Sequence, residues 1–180
     1  MGILKMELSA LDQKTLKNGQ FRISFQSLGT QCEISYSTTS HQTATKFRIH
    51  ALNWIHGFEK RYSRYLPDSL ISQINQNSGL CPVKINQEDL KLFKLCDTLH
   101  FLTKGLFDPT TLPLSNIWNF KAAVPEIPSD SKIQNALKKV GWKNVVVQDN
   151  SVYLSETGMG LDLVGFGNEY AVDRIIEIAE

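Results

Sequence analysis

Three polar stretches interrupt the apolar patterning of this 180-residue chain, and each carries residues that could engage a ligand. In GLDLVGFGNEYAVDR (160–174), Asp162 stands just before a turn containing Gly165 and Gly167, and a helical pattern follows. The unsatisfied N–H groups and positive dipole end of a helix start favour a phosphate, while carbonyls in the turn favour a hard cation. The same glycines are also explained by tight packing of strand to helix, and Tyr170 fills the last position of what would otherwise be a G-x-G-x-x-G fingerprint. In GLFDPTTLPLSNIWNF (105–120), Asp108 before Pro109 is an ordinary turn start, because its carboxylate can accept from N–H groups two residues on. Alternatively, Asp108 accepts from a planar heterocycle or ribose between apolar walls supplied by Phe107 and Trp118. In RYSRYLPDSLISQIN (61–75), Tyr65 is either a stacking surface beside a ligand or part of the frayed end of a helix, and Asp68 is a helix cap.

Other chemistries are excluded by type and spacing. His50 and His56 do not form an i, i+4 metal pair, and neither H-E-x-x-H, G-x-S-x-G nor a phosphate-binding P-loop occurs. His41 and His100 lack an obvious partner and read as surface or satisfied core histidines. Cys32, Cys81 and Cys96 are odd in number and far apart, as expected of idle thiols in a reducing compartment. A net charge of +1 without a basic stripe argues against nucleic acid as a partner. No apolar run approaches the roughly 18 residues of a membrane span. Lys5 and Glu7 break the N-terminal run that a secretory signal would need, so a cytoplasmic location is expected.

The elements that must position these residues follow from periodicity. Residues 21–37 alternate apolar and polar on both sides of Leu28-Gly29-Thr30 and predict a β-hairpin. From Thr43 to Tyr65, the recurrence of Phe47, Ala51, Ile55, Phe58 and Tyr62 predicts a long helix with one buried face. Asp68 would cap a short helix ending at Asn77-Ser78-Gly79. Asn86 would cap a second long one with Leu90, Phe93, Leu95, Leu99 and Leu102 inward, closing near Gly105. Residues 106–129 hold four of the six prolines and read as a long ordered loop carrying Phe107, Trp118 and Phe120. Ser129 or Ser131 would cap a helix running to Val140. NVVVQ and SVYLS around Asp149-Asn150 form a second hairpin, GLDL a further strand, and 169–180 a final amphipathic helix. This order lacks βαβ alternation, so one α+β domain with a mixed or antiparallel sheet and flanking helices is expected.

Taken together, Ser27-Leu28-Gly29-Thr30, Tyr65-Leu66-Pro67-Asp68-Ser69 with Ile74-Asn75, Gly105 to Thr110 with Pro113-Leu114 and Trp118, and Leu161-Asp162-Leu163 through Tyr170 to Asp173 resemble the ApbE family over roughly residues 20–180. Its members are magnesium-dependent FAD:protein FMN transferases. The resemblance implies that residues 1–19 precede a flavin transferase domain at 20–180 that lacks the family's C-terminal half. It implies cleavage of FAD at its pyrophosphate, transfer of FMN to a Thr or Ser of a target flavoprotein, and release of AMP. Leu28 takes the place of the methionine that lies against the flavin, Tyr65 that of the aromatic beside it, and Leu106-Phe107-Asp108 that of the loop holding it. Asp162 falls on the family's acidic flavin-site residue, Asn168 replaces its usual Lys or Glu in that site, and Glu169 replaces a Gly. Gly165 occupies a position that gives an oxygen to magnesium, here a backbone carbonyl. The partners expected are a target flavoprotein bearing the acceptor Thr or Ser, and a second copy of the chain or a separate C-terminal half. The alternatives are a non-catalytic flavin-binding or regulatory module and a remnant acting through protein contacts. Asp108→Ala and Asp162→Ala are expected to weaken flavin binding with the fold intact.

Overall fold

The computed structural model describes residues 12–15, 19–119, 126–163 and 165–180; Phe120, assigned to the long loop, lies outside them, as does most of the N-terminal segment. The chain divides into two compact units, Met1–Lys60 with Phe166–Glu180 and Arg61–Gly165. Among the described residues no helix is long and apolar enough to cross a membrane.

The first unit contains β1 (Asp12–Thr15), β2 (Gln20–Ser27) and β3 (Thr30–Ser37), an antiparallel sheet in the order β1-β2-β3. β1 falls within the segment expected to precede the domain, and its pairing with β2 shows that this segment contributes to the sheet. On β2, alternation points Phe21, Ile23 and Phe25 inward, as the period of two requires. Helix α1 (His41–Tyr62) and helix α6 (Gly167–Ala179) bury stripes of opposite origin in the sequence. Ile23, Phe25, Ala51, Leu52, Ile55 and Ile175 form one cluster. Complete burial of a large aliphatic or aromatic side chain contributes about 1.5–3 kcal/mol, so this cluster outweighs any single polar contact in the unit. Trp54, Phe58 and Tyr170 extend it as an aromatic group, with Phe58 stacked on both neighbours at 5.1 and 5.6 Å.

The second unit contains α2 (Leu70–Gln76), β4 (Val83–Lys84), α3 (Gln87–Leu102), α4 (Leu112–Ser115), α5 (Asp130–Leu137), β5 (Val145–Gln148) and β6 (Ser151–Leu154). Its antiparallel sheet has the order β4-β6-β5, so the protein is α+β with antiparallel sheets. Ile71, Ile74, Leu92, Phe93, Cys96, Val152, Leu154 and Leu161 are essentially inaccessible and form its interior. Burial pushes the Cys96 thiol up to about 12, which keeps it protonated and inert, as expected of an idle core cysteine.

Several boundaries differ from expectation, each for a local reason. Helix α1 stops at Tyr62 rather than Tyr65, because Leu66 N–H returns to Ser63 and Ser69 N–H to Leu66 in successive turns around Pro67. Ser69, not Asp68, caps α2, its Oγ accepting from Ser72 N–H at 3.0 Å. Asn86 caps α3 as expected, in a reciprocal capping box with Asp89. The inner face of α3 is rotated, with Leu92 and Cys96 buried, Leu95 and Leu99 half-buried, and Leu102 68% exposed. The long loop contains the short helix α4, opened by Pro113. GLDL is not a strand: its backbone bonds to a side chain and a loop carbonyl instead of a ladder, as described next.

Candidate functional site

The second unit brings together residues from all three polar stretches. Beyond the end of α1, the guanidinium of Arg64 lies over the Tyr65 ring, with Cζ 4.1 Å from its centroid. Arg64 Nη2 donates to the Tyr65 hydroxyl at 2.7 Å, and Nε donates to Asp162 Oδ2 at 2.6 Å across 98 residues of sequence. Tyr65 itself is 70% exposed, so a broad aromatic surface faces solvent beside an anchored carboxylate. The strand-like GLDL segment reaches this position through two unusual partners. The Asn75 side-chain amide bonds both the N–H and the carbonyl of Leu161, at 2.7 and 3.0 Å, while Asp162 N–H donates to Pro109 O at 2.8 Å. Gly160 permits this close approach, since a Cβ there would lie 2.8 Å from Leu112 Cδ2.

The loop that Asp162 meets is tied down from both ends. His100 Nδ1 donates to the Phe107 carbonyl at 2.9 Å, and Phe107 N–H donates to Thr103 Oγ1 at 2.9 Å. His100 thus has the partner that its sequence context did not reveal. Leu106 projects outward, 92% exposed, and Phe107 is half-buried. Asp108 Oδ1 accepts from Thr110 N–H at 2.8 Å and from its hydroxyl at 2.6 Å, while Oδ2 accepts from Trp142 N–H at 3.3 Å. Thr110, fully buried, accepts in turn from Gly141 N–H at 2.7 Å. Trp142 completes the clasp by donating its ring N–H to Asp97 at 2.9 Å. Asp108 is therefore committed to holding its own loop, the Asx-turn arrangement, whatever else its loop binds. This revises the expectation that Asp108→Ala leaves the fold intact. Removing the carboxylate strips acceptors from three donors and should lower stability by about 2 kcal/mol, measured as a reduced urea midpoint.

In the first unit, Ser27 pairs with Thr30, leaving Leu28-Gly29 as a two-residue hairpin loop. Both residues have positive φ, +53° for Leu28 and +74° for Gly29, the arrangement that favours Asn-Gly over a leucine. Glu59 stabilises the unfavourable residue: Oε1 accepts from Leu28 N–H at 3.0 Å and Oε2 from Ser27 Oγ at 2.8 Å. A non-glycine residue held in this region costs roughly 1–3 kcal/mol and persists where its surroundings fix it. Asn168 is exposed on the first turn of α6, while Gly167 is buried, with Phe58 ring atoms 3.7 Å from where a Cβ would stand. A Cβ at that distance would make only an ordinary van der Waals contact, so packing does not require a glycine at Gly167.

Gly165 is exposed and could offer a metal only its backbone carbonyl. Asp162 is already paired with Arg64, and among the described residues no three His, Cys, Asp or Glu side chains gather as a cation site. Magnesium requires near-octahedral oxygen coordination, which these residues do not supply by themselves. What the second unit offers is an aromatic face, a fixed anion and an apolar-tipped loop, a combination suited to a planar, polar-edged ligand.

Comparison with known proteins gives this arrangement a family. Residues 28–180 match the ApbE family. The FAD:protein FMN transferase of Chlamydia pneumoniae is 30% identical over 125 residues, covering 68% of this chain and 40% of the relative. The FAD:protein FMN transferase of Vibrio cholerae is 26% identical over 117 residues, covering 64% and 35% respectively. Among solved structures, the ApbE protein of Thermotoga maritima superposes with a TM-score of 0.80 at 28% identity, over 89% of this chain and 52% of its own. The flavin transferase ApbE of Vibrio cholerae gives the same TM-score at 22% identity, a likeness of fold alone. The chain spans about half the length of these solved structures and less than half of these curated relatives. Because the match runs from Leu28 in the strained turn through the Arg64–Asp162 link to the last residue, and the fold agrees over 89% of the chain, the chain belongs to the ApbE family.

Proposed function

We propose that this chain is the flavin-side portion of a magnesium-dependent FAD:protein FMN transferase. A hydroxyl oxygen of a Thr or Ser in a target flavoprotein attacks the FMN phosphorus of FAD. The bond from that phosphorus to the pyrophosphate bridging oxygen breaks, AMP departs with the bridging oxygen, and the hydroxyl proton is released. Such a transfer depends on positioning and on neutralising charge more than on a nucleophile within the transferase. In this reading Tyr65 stacks beside the isoalloxazine, the Leu106-Phe107-Asp108 loop holds it, and Asp162 bonds its polar edge. Magnesium would supply charge neutralisation at the pyrophosphate. Its ligands would have to extend beyond the Gly165 carbonyl.

The observation that carries this reading is the convergence at Asp162 of the Arg64–Tyr65 turn and the Pro109 carbonyl, three separate stretches joined by hydrogen bonds. Incubating the chain with FAD and MgCl2 and separating the nucleotides by chromatography tests it, with water as the acceptor. AMP and FMN accumulating above the protein-free control support the transferase. FAD retained on the protein without AMP would reduce the function to flavin binding.

A further inference from the structure

The geometry points to Arg64 as a positioning residue of the flavin pocket, an inference that rests on the flavin reading above and adds to it a residue that the family motifs did not single out. Arg64 joins two residues assigned to that pocket, Tyr65 and Asp162. One guanidinium plane covers a face of Tyr65, donates to its hydroxyl, and holds one oxygen of Asp162. Its backbone carbonyl is anchored as well, accepting from Ser72 Oγ at 3.1 Å within the capped start of α2. The Arg64 and Asp162 side chains are only 21% and 14% exposed, so the pair is better shielded than a surface ion pair.

Tyr65 follows the helix in a turn and is largely exposed, a setting in which an aromatic side chain would sample several rotamers before binding. Fixing the ring and the carboxylate beforehand removes that ordering cost from the binding step. Only the planar fork of arginine does all three tasks at once. A lysine would keep the charge while losing the stack and at least one of the two directed bonds.

Flavin affinity and bound-flavin fluorescence of the wild-type chain, Arg64→Lys, Arg64→Ala, Asp162→Ala and the double variant Arg64→Ala/Asp162→Ala test this, alongside thermal midpoints. Arg64→Lys should lose about tenfold in FAD affinity and quench the flavin less, at an unchanged midpoint. In the Asp162→Ala background, Arg64→Ala should lose less affinity than it does alone, the mark of shared work. Arg64→Lys binding FAD like the wild type, or the losses of the double variant simply adding, would overturn the positioning role while leaving the flavin reading in place. A wild-type chain that binds no FAD would overturn both.

Discussion

Asp89→Ala is expected to lower stability by about 3 kcal/mol, the low end of what breaking a buried ion pair costs. Asp89 is completely buried at the start of α3, where its carboxylate takes a bidentate pair of bonds from Arg61, one from the Tyr62 hydroxyl at 2.7 Å, and the N-cap N–H of Asn86 at 2.7 Å. Removing it strands four donors at once. Arg61 is 39% exposed and can regain water, whereas the buried Tyr62 hydroxyl has far less access, which places the effect at the low end. The same cluster makes a prediction about pH. Burial alone would raise the Asp89 carboxyl, but the Arg61, Asn86 and Tyr62 bonds outweigh it and hold the group below the ordinary carboxylate range. A depressed folded value means the stabilisation is fully present above the unfolded value, near pH 4, and is lost as pH falls through the folded value. Urea unfolding followed by circular dichroism should therefore show a large deficit for Asp89→Ala at pH 7 that shrinks toward pH 3. An equal deficit at both would contradict the ionised, paired carboxylate.

The second large effect concerns binding. Asp162→Ala should reduce FAD affinity about ten- to hundredfold, because a hydrogen bond to a charged group contributes roughly 1.5–3 kcal/mol and each 1.4 kcal/mol is a factor of ten. The loss has two parts, a missing acceptor for the ligand and an Arg64 guanidinium released from its anchor. The backbone bond from Asp162 to Pro109 survives the substitution, so the variant should keep its fold, with a stability loss of about 1 kcal/mol from the broken, part-shielded pair with Arg64. Asp108→Ala should behave differently, losing stability and affinity together, because its carboxylate serves Thr110 and Trp142. Equal affinity losses at equal stability in both variants would mean that both carboxylates act on the ligand directly.

Elements set by local chemistry were legible in the sequence. The hairpin around Leu28-Gly29, the Asn86 cap, the Val145–Leu154 hairpin and the last helix all rest on alternation, capping or 3.6-residue spacing. What escaped depends on partners far away in the chain. GLDL has strand-like residues, but its backbone bonds to the Asn75 side chain and Pro109, which no window of sequence contains. β1 (DQKT) carries no apolar residue and β4 has only two residues, so periodicity marks neither, and both exist through pairing with β2 and β6. Within the candidate site, the motifs identified Tyr65, the Asp108 loop and Asp162. Asn75 and Thr110, which help hold those residues in place, stood among the motif residues without a role, while Arg64 and Trp142 gave no signal beyond ordinary turn and helix context. Glu59 lies outside the apolar stripe that periodicity marks on α1, yet both its oxygens are spent on the Leu28 turn.

The central claim is that the residues gathered at Asp162 form a flavin pocket. Titrating FAD fluorescence with the purified 180-residue chain, with and without MgCl2, tests it most directly. Saturable quenching at one flavin per chain, weakened by Asp162→Ala, is the predicted result. Flavin emission unchanged across the titration, from a chain whose circular dichroism shows it folded, would contradict it.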